Sequence, residues 1–500
     1  MAAYTGCAAC GSEAMIDRAP WSRRAFLAAA GAAAGTLAVA EKAAAKRTST
    51  PGELPFADLP NFCAHEHWGS FDAIGHLPEG FRADVEPGAL PKRRVTVLDL
   101  VLDPYFGGWL SSGGFNVQKA LENAVSPPRL GSSGGDTASP GGADVFSWWG
   151  HDPRAVFNAL RPALEKHFMT GVFQCTRRGT MRLHKVDLGT LRLDDWLEAD
   201  AAIGCAYGDI FAWYVSAMAR MNFRGLIRPM QPEFYFREDT GAAAQAEAAF
   251  TRSVLRIDPF LKMWKEQDPR RDWLAQQTGI DPVDAATWRT FLQAIVERAA
   301  ARGAVGIKQL QAYSRNLAFP ARDDAPVMWR GELNTERVQA FQDWVVNTCC
   351  ALAHERRWVH QVHVGTNNLD ESTPLPLEGL ARRYGNMPVV MIHCWPFLKE
   401  AGWLAKMVPN IYIDTCWQPV LNPQFLHDSF EEWLNYVPWH KIMLSHDSTS
   451  VEMAAGSALF TREALEEALR RQRRRGLSRR LAEEAAAGLL YGNAERLYGG

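Results

Sequence analysis

The 500-residue sequence predicts an α/β fold, a TIM-like (β/α)8 barrel with a long, mostly helical insertion after the first strand. Two patterns indicate this fold class. Short apolar runs rich in β-branched residues alternate with longer segments of helical periodicity, as in parallel α/β proteins. Several of these runs end in histidine or aspartate, and the chemistry of such barrels lies where strands end and loops begin.

Eight candidate strands follow one another along the chain, and a helical pattern over 287–302 introduces the fourth of them. The strands are predicted at 59–64, 223–228, 253–257, 304–310, 357–364, 387–393, 410–414 and 441–445. Since helical segments can fill the intervals between them, this order predicts one closed parallel barrel.

The interval between the first and second strands, residues 68–222, is far longer than a usual βα connection. Helical periodicity over 144–169 and 191–221 predicts helices, and the Gly/Ser/Pro-rich stretch 126–144 predicts a mobile loop. We therefore expect a helical insertion that covers the active face of one barrel domain, residues 41–500, and not an independent domain.

The first forty residues carry a targeting pattern. Arg23 and Arg24 precede an Ala/Gly-rich stretch, and Ala38-Val39-Ala40 forms a small-x-small cleavage site. Residues 1–40 thus resemble a twin-arginine export signal. The resemblance implies the twin-arginine translocation machinery as a partner and a periplasmic or otherwise exported location. The alternative is a weakly apolar N-terminal helix.

Composition excludes several classes of function. The chain has 54 basic and 56 acidic side chains, a net charge of −2, and 47% hydrophobic residues, as in an ordinary globular protein. This balance gives no electrostatic footprint for nucleic acid, and no run of 18 strongly apolar residues predicts a stable membrane anchor. The protein is predicted to be an enzyme that acts on a small molecule.

Candidate metal ligands stand at the ends of predicted strands. His65 and His67 end the first strand two residues apart, so both side chains can face one ion. His363 ends the fifth strand, His393 ends the sixth, and Asp447 follows the eighth. Zn²⁺ is the first choice for three imidazoles and one carboxylate, and Mn²⁺ or Fe²⁺ could use the same ligands.

This order of three histidines and one aspartate resembles the amidohydrolase superfamily, and specifically its amidohydrolase-related branch. Further matching stretches are 306–308, 312–317, 408–414 and 490–498. The resemblance implies a barrel that binds a divalent metal ion at His65, His67, His363 and Asp447. Two departures concern substrate contacts: Ser445-His446 stands where the family usually has glycine-serine, and Cys394 follows His393 where glycine is frequent.

Each candidate ligand has a structural alternative. The histidines could be core residues with satisfied hydrogen bonds, and Asp447 could be a helix N-cap. His360 competes with His363, but it lies three residues away and should face the other side of the strand. His446 should point away from Asp447 and play a structural role. His393 is predicted to be a neutral imidazole that polarises the substrate or ligates a second ion.

Four further residues are candidates for substrate binding or for a second metal site. In some superfamily members a carboxylated lysine on the fourth strand bridges two metals, so the resemblance makes Lys308 a candidate for that role or for binding a substrate anion. An ion-paired lysine is the alternative. Arg256, Tyr313 and Arg315 are possible carboxylate contacts, with ordinary salt bridges as the alternative for the arginines.

These residues predict metal-assisted hydrolysis of an amide, ester or lactone carbonyl in a small molecule. Asp447 and His393 are the predicted catalytic residues. Asp447 would accept a proton from water and return it to the leaving group. The alternative is a non-hydrolytic decarboxylase or sugar-acid isomerase in the same metal-binding barrel. A catalytically silent binding protein is a third possibility. One ion is predicted in preference to two.

Overall fold

The computed structural model describes residues 59–68, 95–103, 105–116, 152–236 and 250–499. Eight strands form one sheet in the order β1 to β8, and every neighbouring pair is parallel. Their bounds are β1 Asn61–Cys63, β2 Phe223–Met230, β3 Thr251–Arg256, β4 Ala304–Gln309, β5 Val359–Val364, β6 Val389–His393, β7 Ile411–Asp414 and β8 Ile442–Met443. The predicted (β/α)8 barrel is confirmed, and every predicted strand overlaps an observed one.

Hydrogen bonds between the ends of β8 and β1 close the barrel. The amide of Ala64 donates to the carbonyl of Leu444 (3.3 Å), and the amide of Asp447 donates to the carbonyl of His65 (3.1 Å). The segments that follow β1 and β8 are thereby held side by side. Residues just beyond the first and last strands, which are far apart in sequence, become immediate neighbours.

The barrel interior is filled by one apolar cluster. Ile227, Val254, Val359 and Val390 belong to this cluster, and Tyr498 from the last helix joins them. Arg252 near the start of β3 donates to the carbonyl of Tyr498 (2.7 Å), so the last helix closes the end of the barrel where the strands begin. The opposite end carries the predicted site residues.

Helices surround the barrel and build the insertion. Their bounds are α1 Val97–Val101, α2 Phe106–Ser112, α3 Pro153–His167, α4 Gly171–His184, α5 Leu193–Ala206, α6 Ile210–Met221, α7 Pro269–Thr278, α8 Ala285–Ala301, α9 Thr335–Arg356, α10 Leu377–Arg383, α11 Leu398–Met407, α12 Gln418–Leu421, α13 Pro423–Trp433, α14 Val451–Arg474, α15 Arg479–Ala487 and α16 Asn493–Tyr498. Of these, α1 to α6 belong to the insertion. Among the described residues, no helix is both long enough and apolar enough to cross a bilayer.

The insertion packs against α14, the helix that follows β8. Gly179 of α4 meets the backbone of Glu452, and Gly456 of α14 meets the backbone of Cys175. A Cβ at either glycine would lie less than 2 Å from a carbonyl oxygen (1.6 and 1.8 Å), so only glycine permits this close crossing. The predicted loop at 126–144 and the predicted export signal at 1–40 lie outside the described residues.

Candidate metal centre

Three predicted ligands converge at the joint between β1 and β8. The Nε2 atoms of His65 and His67 are 3.2 Å apart. The Oδ1 atom of Asp447 lies 3.0 Å from Nε2 of His67 and 3.7 Å from Nε2 of His65. All three side chains are buried, and their ligand atoms lie within 4.8 Å of one another. This is the spacing at which one cation could contact all three.

A hydrogen-bond network sets the proton position on His65. The amide nitrogen of Gln361 donates to the carbonyl of Ala64 (2.7 Å) and bonds to the hydroxyl of Tyr498 (2.8 Å). Since a carbonyl can only accept, the Oε1 atom of Gln361 must face Nδ1 of His65, at 2.7 Å. The proton of a neutral His65 therefore lies on Nδ1. Its Nε2 offers a lone pair to the centre of the cluster.

Burial and charge fix the protonation of this cluster. Burial lowers the pKa of His65 well below its usual value, so the imidazole is neutral at pH 7. Burial opposes ionisation of Asp447, but His67, His65 and His393 outweigh it and hold the pKa of that carboxyl well below its ordinary value. Two imidazoles and an ionised carboxylate are ligands typical of Zn²⁺ and other transition-metal dications, so the donor set fits such an ion.

His393 lies beside this cluster with a defined orientation. Its Nδ1 is 3.2 Å from the carbonyl of Cys416, and its Nε2 is 3.7 Å from Oδ2 of Asp447. Burial lowers the pKa of His393 to about 4, so its single proton lies on Nδ1 and Nε2 carries a lone pair. A neutral His393 in this tautomer cannot donate to a substrate oxygen. Of its two predicted roles, the geometry favours metal ligation.

His363, the fourth predicted ligand, borders the cluster without joining its convergent atoms. Its ring centroid lies 4.2 Å from that of His393, and its Nε2 bonds to the hydroxyl of Thr366 at 2.7 Å. Burial lowers the pKa of His363 well below its usual value. His360 faces the opposite side of β5, where Nδ1 lies 3.5 Å from the thiol of Cys350 in α9.

The remaining candidates occupy different places. Lys308 is buried on β4 next to Gln361 of β5, and its charge contributes to the lowered pKa of His65. Arg256 forms a two-point ion pair with Asp258, at 2.8 and 3.2 Å. Tyr313 lies at the mouth of the barrel, 39% exposed, with its ring 4.5 Å from that of His363.

Arg315 is directed elsewhere. Its guanidinium donates to Asp343 of α9 (2.8 Å) and to the carbonyl of Ala318 (2.7 Å), and it lies over the ring of Phe319. These contacts join a loop to the outer helix layer. They correspond to the structural alternative for this residue, and the structure does not bring Arg315 to the histidine cluster.

A second buried group lies behind the first. Oε1 of Glu66 is 3.1 Å from Nδ1 of His446 and 3.1 Å from the thiol of Cys63, and Oε2 accepts from the amide of Ser448 (2.8 Å). His446 stacks on the ring of Phe223. Asp447 is not the N-cap of α14, because Ser450 holds that position.

The insertion and the segment after β7 bring further residues to the site that the sequence patterns do not predict. The hydroxyl of Tyr105 donates to Oδ1 of Asp447 (3.0 Å). Asp103 anchors this segment by accepting from the amide of Tyr105 (2.8 Å) and from the hydroxyl of Thr449. Trp417, after β7, lies 5.6 Å from His393. No sequence motif marks these residues, since only the packing of the insertion places Tyr105 there.

Four site residues adopt left-handed backbone conformations. The φ angles are 70° at His393, 60° at Cys394, 61° at Trp417 and 52° at Asp447. Such angles are uncommon outside glycine and cluster where surrounding structure enforces them, often at functional sites. Here they fall after β6, β7 and β8, on the face that carries the cluster.

The fold and the cluster define a (β/α)8 barrel with a candidate metal site at the carboxyl ends of its strands. The profile of the amidohydrolase family matches residues 220–500, more than half of the chain. The chain belongs to this family.

Known proteins share the fold at low identity. Protein fluG of Emericella nidulans is 26% identical over 280 residues, which are 50% of this chain and 32% of that protein, so the match spans about a third of its length. The glucuronate isomerase of Caulobacter crescentus aligns with a TM-score of 0.66 and 15% identity, covering 89% of this chain and 92% of that one. A protein from Lactobacillus casei ATCC 334 that is described as a putative metal-dependent hydrolase aligns with a TM-score of 0.56 and 15% identity, covering 88% of this chain and 96% of that one.

Proposed function

We propose that this protein is a metal-dependent hydrolase that attacks an amide, ester or lactone carbonyl of a small molecule with water. The observation that carries the proposal is the convergence of three buried ligand atoms, Nε2 of His65, Nε2 of His67 and Oδ1 of the ionised Asp447, within 4.8 Å of one another. The carboxylate supplies negative charge, and the lone pair on Nε2 of His65 is directed to the same place, as a divalent ion requires.

His65, His67 and Asp447 would hold the ion, and His393 and His363 are the candidates for a further ligand. Zinc is the first choice, with manganese or iron as alternatives. When bound, such an ion lowers the pKa of coordinated water and polarises a carbonyl oxygen. We propose one ion per chain, because the neighbouring group of His393 and Cys416 shares Asp447 with His65 and His67 and adds no carboxylate of its own.

The protein's own residues would move and hold protons. The carboxylate of Asp447 is ionised at neutral pH, so it can accept a proton from the attacking water and return it to the leaving group. Tyr105 donates to the same carboxylate and orients it. Burial raises the pKa of Tyr313 to about 12, so its phenol at the mouth remains a donor toward a substrate oxygen.

The test uses the full chain, reconstituted with zinc or manganese, and a panel of amides, esters and lactones in ¹⁸O-labelled water. We expect one labelled oxygen in the carboxylate product. Lack of turnover across the panel by a metal-loaded protein, together with conversion of an acid substrate, would overturn the assignment. A chain without stoichiometric metal after anaerobic, chelator-free preparation would indicate the silent binding protein instead.

The second candidate is a non-hydrolytic decarboxylase or sugar-acid isomerase. The observation that favours it is Lys308, a buried cationic side chain on β4 that suits a substrate carboxylate, whereas its register neighbour on β3, Arg256, already pairs with Asp258. Product analysis separates the possibilities. Carbon dioxide indicates decarboxylation, an unlabelled isomer of equal mass indicates isomerisation, and incorporated label indicates hydrolysis.

Export is a separate proposal that rests on Arg23 and Arg24. Replacing both by lysine should leave unprocessed precursor in the cytoplasm. Fractionation of cells that express each form would measure this, and normal export of the variant would refute the targeting role.

A further inference from the structure

Three aromatic side chains form a wall beside the candidate metal centre. Tyr105 and Trp109 come from the insertion, and Trp417 follows β7. The ring of Trp417 lies 4.6 Å from that of Tyr105 and 5.7 Å from that of Trp109. Trp417 meets Tyr105 at a tilt of 42° and Trp109 edge-on at 83°, so segments that are about 300 residues apart in the chain bring their aromatic rings to one place.

This aromatic wall lies next to His393 and Asp447 of the candidate metal centre. Trp417 lies 5.6 Å from the ring of His393, and Tyr105 touches Asp447 through its hydroxyl. Tyr313 lies beside His363, whose ring meets that of His393 edge-on. Aromatic side chains therefore lie on two sides of the candidate metal ligands.

The buried side chain of Trp417 has two energetically unfavourable features, a left-handed backbone and, within the described residues, an unpaired indole N–H. It is only 8% exposed, its φ of 61° is left-handed, and its indole Nε1 has no hydrogen-bond partner among the described residues. A buried donor without an acceptor is destabilising. An acceptor atom on a bound molecule would remove this cost, and a flat ring would add a further aromatic contact to those that Trp417 already makes.

We infer that Tyr105, Trp109 and Trp417 form a subsite for a flat, unsaturated ring attached to the reacting carbonyl. The inference rests on the proposed hydrolysis and narrows its substrates to aryl or heteroaryl esters, amides and lactones. A ring that carries a hydrogen-bond acceptor would accept from the indole N–H of Trp417. A saturated ring of equal size cannot present a π face to the wall.

Binding tests this inference without requiring turnover. Calorimetry on the metal-free full chain compares benzoate with cyclohexanecarboxylate, which share a carboxylate and differ in the ring. We expect benzoate to bind roughly tenfold more tightly, as an aromatic contact of about average strength would give. Trp417→Leu and Trp109→Leu should each reduce this preference, and Trp417→Phe should retain most of it.

The control is Trp403→Leu on α11, a tryptophan that is 44% exposed and outside the site, which should keep the preference unchanged. Thermal unfolding of each variant identifies any that fail to fold, in which case Trp417→Phe and Trp109→Leu decide. The subsite would be overturned if the wild type bound benzoate and cyclohexanecarboxylate with equal affinity, or if folded Trp417→Leu kept the preference for benzoate. A preference for benzoate without hydrolysis of any ester would refute the proposed function and leave the subsite standing.

Discussion

Two buried clusters, each with three potential metal ligands, lie back to back where the ends of β1 and β8 meet. One consists of His65, His67 and Asp447, and the other of Cys63, Glu66 and His446. Their residues alternate along the same two stretches of chain. We call the first the open cluster and the second the closed cluster, because their hydrogen bonding differs.

In the closed cluster every contact pairs a donor with an acceptor. Glu66 accepts from His446, from the thiol of Cys63 and from the amide of Ser448. Burial raises the pKa of Cys63 well above its usual value, so the sulfur is a neutral thiol and not a soft anionic ligand. The protein itself satisfies this cluster.

In the open cluster one lone pair remains directed at the centre. Gln361 holds the proton of His65 on Nδ1, so Nε2 of His65 presents a lone pair 3.7 Å from Oδ1 of the ionised Asp447. Asp447 also accepts from Tyr105 and lies 3.0 Å from Nε2 of His67. A count of histidines, cysteines and carboxylates is therefore the same in both clusters, and the difference lies in whether a ligand atom still offers an unused lone pair beside an ionised carboxylate.

The largest difference between the clusters should appear in activity. His67→Ala removes a ligand from the open cluster and should lower kcat/KM by roughly 10³-fold, the equivalent of about 4 kcal/mol of lost metal-dependent stabilisation. His446→Asn keeps a donor for Glu66 in the closed cluster and should leave kcat/KM near the wild-type value. Steady-state kinetics on both variants gives the two values of kcat/KM. Equal losses in His67→Ala and His446→Asn would show that the two clusters do not differ in function.

Asp447→Asn distinguishes the role of this residue in metal binding from its role in proton transfer. The amide oxygen can still face the ion, but it cannot accept a proton. Turnover should therefore drop by roughly 10²-fold or more while part of the metal is retained. Metal content and kcat are measured on the same preparation. A variant with bound metal and nearly normal kcat would exclude Asp447 as the proton acceptor.

Gln361→Leu tests the orientation of His65. Loss of the acceptor on Nδ1 should weaken metal binding by about 10–100-fold, as is typical for residues that orient a ligand. Competition against a chelator of known affinity measures this. Tyr498→Phe leaves Gln361 bonded to Ala64 and should have a smaller effect. Unchanged affinity in Gln361→Leu would mean that His65 needs no such support.

The smallest expected effect is on stability and concerns Asp414, whose carboxyl is close enough to both clusters for Asp447 and Glu66 to influence its pKa. Burial raises its pKa to about 7, with Asp447 and Glu66 acting in the same direction. The folded state then holds a proton that the unfolded state loses near pH 4, so this residue's contribution to stability should decline from about pH 4 to about pH 7. Asp414→Asn should flatten that decline in urea unfolding curves. An unchanged slope would contradict the raised pKa.

The strands and the shared direction of His65 and His67 were predictable because both depend on local periodicity, whereas Asp447 joins the two histidines through closure of the barrel between β8 and β1. Alternation in β5 separates His363 from His360, and the structure places them on opposite sides of the strand. His65 and His67, two residues apart, likewise face one point.

The positions of Tyr105 and Trp417 were not predictable, because long-range packing sets them. The insertion carries Tyr105 to Asp447 across more than 300 residues, and no motif surrounds it. The tautomer of His393 also depends on a tertiary contact, the carbonyl of Cys416, which a single sequence does not reveal. Arg315 is a possible carboxylate contact on sequence grounds, with an ordinary salt bridge as the alternative, and its ion pair with Asp343 corresponds to that alternative.

The number of metal ions bound per chain tests whether the open cluster, and not the closed cluster, is the metal site. Elemental analysis after anaerobic, chelator-free preparation should find about one divalent ion per wild-type chain. The same value is expected in Cys63→Ala, which removes a side chain of the closed cluster that contacts the open cluster only at the backbone carbonyl of His65, and in Lys308→Ala. His65→Ala and His67→Ala should contain almost none. Metal loss in Cys63→Ala with retention in His67→Ala would contradict the account, and two ions reduced to one in Lys308→Ala would overturn the mononuclear site.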